Sequence, residues 1–190
     1  MKKDNFDSQL YWEKRYLTNG NSGIGSYDKD AESKSNYIND IIKKYSLKII
    51  NDYGHGDGNQ LTYIKGFDEY YGYDVSKTIR EKCINKFKNE DKYKFIDTPT
   101  KFTKADLSMS LDVLYHIVEE KLYVEYLKTL FNIGEYVLIY AVDDNVTGSP
   151  HYVAREFTPY IRENFPNFKL IETKNLIRDY ISMYLYKKII

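Results

Sequence analysis

The sequence predicts an α/β fold, a mostly parallel sheet of seven strands with helices on both faces. Short β-rich apolar runs alternate along the chain with longer segments whose apolar residues recur at helical spacing. Parallel strands need long right-handed crossovers, and the helical segments supply them. The last two strands have no clear helix between them, which predicts an antiparallel C-terminal strand at one side of the sheet.

The first half of the chain predicts three strands and three helices. Ile38, Ile41 and Ile42 lie at helical spacing, and the apolar run 47–50 follows them as a buried strand. Ser76 is placed to cap a helix on which Ile79 and Cys83 lie one turn apart. The predicted elements are helices at 30–45, 61–67 and after Ser76, and strands at 47–50, 70–73 and 93–96.

The second half predicts one more helix and four strands. Residues 105–112 alternate apolar and polar side chains, which is the period of a strand. The segment 118–131 carries its apolar residues at helical spacing, and 136–142 is an apolar, β-rich run. The runs 168–172 and 180–186 close the predicted sheet.

Composition and charge narrow the class of protein. The 190 residues suit one domain, and 28 basic residues balance 28 acidic ones, which disfavours strong binding to nucleic acid or to an anionic membrane. No apolar run reaches the length of a membrane span or of a signal peptide. Cys83 is the only cysteine, so no intrachain disulfide forms and a reducing, cytoplasmic location is expected. The three histidines lack metal-site spacing, and no metal is expected.

A glycine-rich segment at 51–60 follows the first strand. In an open α/β sheet the ligand binds beyond the carboxyl ends of the strands, where glycines allow a sharp turn and close approach to the backbone. Asp74 ends the second strand and can accept hydrogen bonds from both hydroxyls of a ribose. The G-x-G-x-G spacing of Gly54, Gly56 and Gly58 lacks the last interval of a dinucleotide fingerprint, which favours a nucleoside without a pyrophosphate. A purely structural turn is the alternative.

The segments 52–60, 72–76 and 106–116 resemble, in order and spacing, the motifs of class I S-adenosylmethionine-dependent methyltransferases. Residues 11–16 and 22–27 resemble the opening of a group of small, single-domain, bacterial-type members. That group has an H-V-R-H-R-x-F motif where residues 151–157 read HYVAREF, which keeps the first His, the last Arg and the Phe. His55 stands where such loops often have Cys.

The resemblance implies a Rossmann-like three-layer sandwich and S-adenosyl-L-methionine as cofactor. It implies that the glycine loop with Asp57 lines the methionine and ribose, that Asp74 holds the ribose, and that Val75 and Ser76 flank the adenine. Asp97 is the candidate for the adenine amino group. The implied cofactor-binding residues are Gly54, Gly56, Asp57, Gly58, Asp74, Val75, Ser76, Asp97, Ser110 and Leu111, the last two offering backbone carbonyls to the ammonium.

The whole chain, 1–190, is expected to form one methyltransferase domain. Residues 1–46 supply N-terminal helices and a lid, 47–143 the cofactor-binding core, and 144–190 a substrate flap and the C-terminal strands. For the lid at 22–27 the alternative is a disordered linker. The aromatic residues Tyr11, Trp12 and Tyr16 fit a packed core better than a substrate wall.

His116, Asp112 and His151 are the candidate catalytic residues, and Tyr115, His151 and Arg155 the candidate substrate-binding residues. His116 follows the fourth strand closely, and imidazole acts as a base near neutral pH. The alternatives are that His116 orients the next helix, that Asp112 is a helix N-cap, and that His151 and Arg155 belong to a solvated loop.

The favoured function is methyl transfer to a hydroxyl or amine of a small molecule, with a sugar or glycan precursor as one candidate. A non-catalytic domain that binds the cofactor or a partner retains the same loop and Asp74. A nicotinamide-dependent oxidoreductase is less favoured because the dinucleotide spacing is missing. Oligomeric state is left open.

Overall fold

The structure is a computed structural model that describes residues 6–189. Residues 1–5 and 190, at the ends of the expected single domain, lie outside the described residues. The helices are α1 (Ser8–Leu17), α2 (Asp28–Tyr45), α3 (Lys77–Lys86), α4 (Glu120–Ile133) and α5 (Thr158–Asn164). The strands are β1 (Ile49–Tyr53), β2 (Glu69–Tyr73), β3 (Tyr93–Phe95), β4 (Ala105–Leu111), β5 (Gly134–Ala141), β6 (Phe168–Asn175) and β7 (Ser182–Lys188).

The seven strands form one sheet in the order β3-β2-β1-β4-β5-β7-β6. The strands from β3 to β5 pair in parallel, and β7 runs antiparallel to both β5 and β6. The predicted fold, mostly parallel with an antiparallel C-terminal strand, is confirmed. The strand order reverses between β1 and β4, so their carboxyl ends frame the place where an open α/β sheet binds its ligand.

The apolar core covers both faces of the sheet. Alternate side chains of a strand point to opposite faces, so neighbours on β5 belong to different clusters. Leu138 packs in the cluster that includes Ile38 of α2, whereas Ile139 packs in the cluster that includes Leu127 of α4. All four side chains are fully buried. The central strands are therefore held from both sides.

Local sequence signals explain where several helices begin. The hydroxyl of Ser76 accepts a hydrogen bond from the backbone of Ile79, so Ser76 caps α3 as predicted. The carboxylate of Asp7 accepts from the backbone of Leu10 and caps α1 in the same way. No helix among residues 6–189 is both long enough and apolar enough to cross a membrane.

The predicted ends of some elements are wrong because tertiary partners satisfy polar groups. β1 was expected to end at Ile50 but continues to Tyr53. Asn51 donates to the carbonyl of Thr103, and the carboxylate of Asp52 accepts from the Tyr70 hydroxyl, so both polar residues are buried in the strand. The helix expected at 61–67 is only a 3₁₀ turn at Gln60–Tyr63. Helix α5 was not predicted.

Candidate active site

A cavity of about 340 Å³ lies at the carboxyl ends of β1 and β4. The glycine loop and the end of β2 form one side, and the segment after β4 forms another. Helix α1 closes it with Trp12 and Tyr16. Of the predicted site residues, the cavity is lined by Gly54, Gly56, Asp74, Val75, Leu111, Asp112 and His116.

The three glycines are required by the packing of the protein itself. All three have positive φ, at 100° for Gly54, 57° for Gly56 and 67° for Gly58. A Cβ on Gly54 would lie 2.5 Å from a methyl of Val113, and one on Gly58 would lie 2.8 Å from the Phe87 ring. At Gly56 the clash would be with the Ser22 hydroxyl. The loop is thus fixed by its neighbours, and Gly54 and Gly56 present backbone to the cavity.

Asp74 joins the glycine loop to the start of α3. Its two carboxylate oxygens accept hydrogen bonds from the backbone of Gly56 and of Ser76, each at 3.0 Å. The side chain lines the cavity although the residue is buried. Burial raises the pKa of Asp74, and the charge of His55 and these backbone donors oppose the rise. A fixed carboxylate at this point can accept further hydrogen bonds from a ligand.

Three buried polar atoms on the cavity wall have no hydrogen-bond partner among residues 6–189. They are Oδ1 of Asp52, Oε1 of Gln60 and Nε2 of His55. Buried polar groups are nearly always paired, so each of these atoms is expected to receive a partner from water or from a bound ligand. Burial raises the pKa of Asp52 to about 7, although the Tyr70 hydroxyl opposes the rise. Gln60 is not among the predicted site residues, because the only indication of such a role in the sequence is its position just after the glycine loop.

Lys34 of α2 and Asp112 at the end of β4 form an ion pair in the cavity wall. Lys34 is only 1% exposed, and its ammonium also lies 5.1 Å from the centre of the Tyr140 ring. The Tyr115 hydroxyl donates to the other oxygen of Asp112 at 2.6 Å. Asp112 has φ of 60°, so it ends the strand and does not cap a helix. Lys34 was not predicted, although a lysine on the buried stripe of α2 was a signal.

His116 lies in the wall beside Trp12, with the two ring centres 5.0 Å apart. Its Nδ1 is 3.0 Å from the carbonyl oxygen of His151, which can only accept, so Nδ1 carries the proton. Burial lowers the pKa of His116 to about 4. The imidazole is therefore neutral near pH 7, with a free lone pair on Nε2.

The predicted substrate-binding residues Tyr115, His151 and Arg155 lie outside the cavity lining. Arg155 donates to the carbonyls of Ile117 and Val118 and lies over the Tyr123 ring, so its guanidinium fastens the segment before α4. The His151 ring stacks on Tyr11 of α1, with ring centres 4.7 Å apart.

Four of the predicted cofactor-binding residues lie outside the cavity lining and have partners within the protein. Asp57 accepts from Ser22, Tyr27 and Asn59, and Ser110 accepts from the Tyr126 hydroxyl. Ser76 caps α3, and the exposed Asp97 pairs with Lys101. Gly58 likewise faces Phe87 and Cys83 instead of the cavity. Asp57 thereby holds the 22–27 segment, the expected lid, against the glycine loop.

Helix α1 is fastened over the cavity at two points. The carboxylate of Glu13 accepts hydrogen bonds from the hydroxyls of Ser76 and Thr78 at the start of α3. On the other side, the hydroxyl and backbone N–H of Ser8 donate to Glu119. The helix therefore bridges the two walls of the site. No group of three or more His, Cys, Asp or Glu among residues 6–189 is arranged to hold a metal ion.

Several solved structures with the same fold are methyltransferases. NodS, an N-methyltransferase from Bradyrhizobium japonicum WM9 in complex with S-adenosyl-L-homocysteine, superposes with a TM-score of 0.75 at 10% identity over 96% of this chain and 99% of that one. The chain has the class I methyltransferase fold. Magnesium protoporphyrin IX methyltransferase from Synechocystis PCC 6803 with bound SAM gives 0.70 at 13% identity over 97% and 99%.

The class I methyltransferase fold also includes a putative RNA methyltransferase from Pyrococcus horikoshii, with a TM-score of 0.62 at 17% identity over 100% of this chain and 91% of that one. No protein-family model matches the chain, and the comparison with curated proteins found no match. One fold hosts many acceptors, so the chemistry must be argued from the site.

Proposed function

We propose that the chain is an S-adenosylmethionine-dependent methyltransferase that acts on a hydroxyl or amine of a small molecule. The observation that carries the proposal is the cavity at the β1–β4 switch point, where the glycine loop and Asp74 lie beside unpaired buried acceptors. Such a site suits a ligand with a ribose at one end and a donor-rich group at the other.

The residues present fit the cofactor. Asp74 holds two backbone hydrogen bonds and retains lone pairs for the ribose hydroxyls. Val75 and Val113 line the cavity and offer apolar surface to an adenine. The unpaired oxygens of Asp52 and Gln60 require hydrogen-bond donors, which the ammonium of the methionine part provides.

We infer that His116 takes a proton from the acceptor. The cofactor, when bound, supplies an electrophilic methyl group, so the protein has to align a nucleophile and remove its proton. The hydrogen bond from Nδ1 to the His151 carbonyl fixes the tautomer and leaves Nε2 free to act as base. Edge contact with Trp12 holds the ring in place.

The form of the cavity supports a small acceptor. Helix α1 covers the site and is held there by the hydrogen bonds of Glu13 and Ser8. The space for the acceptor beside Trp12 and His116 is therefore confined. Aromatic rings with hydrogen-bonding tips suit a sugar or another polar ring compound. The balanced net charge supports the expectation that nucleic acid is not the acceptor.

Thermal unfolding with candidate cofactors tests the proposal. S-adenosylhomocysteine at 100 times its dissociation constant adds about 2.7 kcal/mol of stability, and for this chain length we expect a rise in Tm of about 5 to 10 °C. NAD at the same concentration should leave Tm unchanged. A rise with NAD alone, or with neither ligand, would contradict the proposal. Trp12 is the only tryptophan and lines the cavity, so its fluorescence gives a second measure of binding.

Two aspartates give a matched pair of variants for this experiment. Asp74→Asn should weaken S-adenosylhomocysteine binding by about 1 to 3 kcal/mol, because a charged acceptor of the ribose hydroxyls is lost. Asp68→Asn is the control, since Asp68 is exposed and paired with Lys48 outside the cavity. Equal effects of the two substitutions would remove the ribose role of Asp74.

A further inference from the structure

Two short segments pack together at the cavity wall. The post-β4 segment comprises residues 115–118, and the post-β5 segment comprises residues 151–155. The backbone N–H of Val153 donates to the carbonyl of Tyr115 at 2.8 Å, so the two segments lie side by side. The rings of Tyr115 and Tyr152 also make contact, with their centres 4.9 Å apart. Packing between the two segments therefore decides how the residues near these contacts are placed.

The ring of His116, in the post-β4 segment, is oriented by the post-β5 segment. Its Nδ1 lies 3.0 Å from the carbonyl oxygen of His151, and donation to that oxygen leaves the lone pair on Nε2. The tautomer of a histidine is set by the hydrogen bond that its other ring nitrogen makes. Nε2 of His116 therefore keeps its lone pair only while the two segments stay together.

Arg155 joins the two segments through its guanidinium. One terminal nitrogen donates to the carbonyl of Ile117 at 2.8 Å, and the other donates to the carbonyl of Val118 at 2.9 Å. The central carbon of the guanidinium lies 4.3 Å from the centre of the Tyr123 ring on α4. Ile117 and Val118 directly follow His116, so the two hydrogen bonds fix the backbone that carries the imidazole.

A guanidinium suits this connection better than another charged group would. Its planar fork presents two nitrogens at a fixed spacing, whereas an ammonium is a point charge. The Arg155 side chain is 17% exposed, and its Nε pairs with Glu120, whose side chain is 73% exposed. An ion pair with so exposed a carboxylate contributes little. The carbonyls of Ile117 and Val118 are therefore the partners that account for an arginine at this position.

We propose that Arg155 is a positioning residue for His116: by holding the two segments together, it keeps the His151 carbonyl on Nδ1 and the lone pair on Nε2. The inference rests on the proposed function, in which His116 takes the proton of the acceptor, and it adds the residue that maintains the required tautomer. Arg155 lies outside the cavity lining, so it acts through His116 and not by contact with a ligand.

The imidazole itself reports whether Arg155 has this role. Nitrogen chemical shifts in NMR distinguish a protonated from an unprotonated ring nitrogen. The chain has three histidines, and His116→Asn identifies the resonances of His116. At pH 7 the unsubstituted chain should carry the proton on Nδ1, whereas Arg155→Met should contain comparable amounts of the two tautomers. An unchanged tautomer in Arg155→Met would overturn the inference.

The same spectra recorded between pH 7 and pH 5 give a second readout. Burial holds the pKa of His116 at about 4 in the unsubstituted chain, so its ring should stay neutral in this range. In Arg155→Met water reaches the ring, and the pKa should rise by about one pH unit or more. A pKa that stays at about 4 would contradict the inference. The charged and titratable groups that face the ring are the same in both proteins and are Arg15, Asp112, Tyr115, His151 and Tyr152.

Two controls separate the carbonyl hydrogen bonds from the other properties of Arg155. Glu120→Gln removes the ion pair but leaves both hydrogen bonds, so the His116 resonances should not change. Arg178→Met removes another partly buried arginine, whose carboxylate partner is Asp30 at the start of α2. It should also leave the resonances of His116 unchanged. A change of tautomer in either control as large as that in Arg155→Met would count against the inference.

Arg155→Lys decides the question if Arg155→Met does not fold, and circular dichroism establishes which variants are folded. The lysine keeps a positive charge near Glu120 and Tyr123 but replaces the fork by a single nitrogen. We expect the same mixture of tautomers as in Arg155→Met. A lysine variant that keeps the proton on Nδ1 of His116 would show that charge is sufficient, and the proposed role of the fork would be wrong.

Binding of S-adenosylhomocysteine distinguishes this inference from the proposed function. In isothermal titration calorimetry Arg155→Met should bind the ligand within about twofold of the unsubstituted chain, because its side chain lies outside the cavity lining. A loss of about tenfold or more would show that Arg155 acts on the whole site and would overturn the inference. If the unsubstituted chain does not bind the ligand, the proposed function fails, even where the tautomer of His116 responds to Arg155.

Discussion

Burial shifts the pKa values of the titratable side chains in the cavity wall. Asp52 and Asp74 both have raised pKa values because water is excluded from them, and the pKa of His116 is lowered for the same reason. Groups perturbed in this way cluster at functional sites more often than elsewhere. His116 therefore stays neutral well below pH 7, where an unperturbed histidine would become protonated.

The lowered pKa of His116 predicts how stability depends on pH. An unfolded chain protonates this histidine near pH 6.5, whereas the folded chain protonates it near pH 4. Between these values the unfolded state binds more protons, so the free energy of unfolding falls as the pH drops from about 6.5 to about 4. His116→Asn removes this contribution. Between pH 7 and pH 4 the free energy of unfolding of the variant should therefore fall by on the order of 2 kcal/mol less than that of the unsubstituted chain.

Urea unfolding at several pH values measures this difference. The side-chain amide of the substituted asparagine supplies a donor for the His151 carbonyl, as Nδ1 of His116 does in the unsubstituted chain. Other buried groups, such as Asp52, titrate in both proteins and cancel in the comparison. Parallel pH profiles for the two proteins would show that His116 titrates normally in the folded state.

At the scale of elements, α1 is the part of the site most readily opened. It contacts the domain through a few polar contacts and rings, and only Ser8 and Tyr16 among its residues are buried. Its contact with α3 includes Glu13, which accepts from both Ser76 and Thr78, and the carbonyl of Tyr16, which accepts from Lys82. Elements held by few buried contacts open locally before the core does.

Glu13→Ala should therefore loosen α1 without unfolding the sheet. Losing hydrogen bonds to a charged acceptor, partly offset by water at this surface, should speed amide hydrogen exchange in α1 by roughly tenfold. Exchange in β5 should be unchanged, and mass spectrometry resolves the two segments. Glu32→Ala, on the exposed side of α2, is the control. Equal protection of α1 in both variants would show that Glu13 does not hold the helix.

The sequence predicted local features of the site better than features made by distant contacts. The glycine loop and Asp74 lie at the ends of consecutive strands, so a strand pattern alone brings them together. The ion pair of Lys34 with Asp112 joins positions 78 residues apart, and no local pattern pairs them. The unpaired state of Gln60 depends on its packing against α2. Arg155 and His151 are predicted to bind substrate; in the structure Arg155 contacts backbone carbonyls and His151 stacks on Tyr11, contacts that no local pattern indicates.

At the scale of the whole molecule, the two apolar clusters share one sheet. Leu138 and Ile139 are consecutive and fully buried, but they pack against helices on opposite faces. Strands β1, β5 and β7 contribute side chains to both clusters, so we expect neither cluster to unfold while the other remains. If the chain is one domain, as expected, it should unfold in one cooperative transition. A destabilising substitution on either face of the sheet should then shift the whole transition.

Leu138→Ala and Ile139→Val test this coupling. We expect losses of about 2 to 5 kcal/mol for the first and about 0.5 to 1.5 kcal/mol for the second. Urea unfolding followed by far-ultraviolet circular dichroism and by near-ultraviolet circular dichroism should give coincident midpoints in each variant, because one probe reports the helices and strands and the other reports the tyrosine rings packed in both clusters. Leu170→Ala, on the outer strand β6 and 38% exposed, is the control and should cost less than Leu138→Ala. Two separated transitions would show that the two faces of the sheet unfold independently and that the chain is not one cooperative domain.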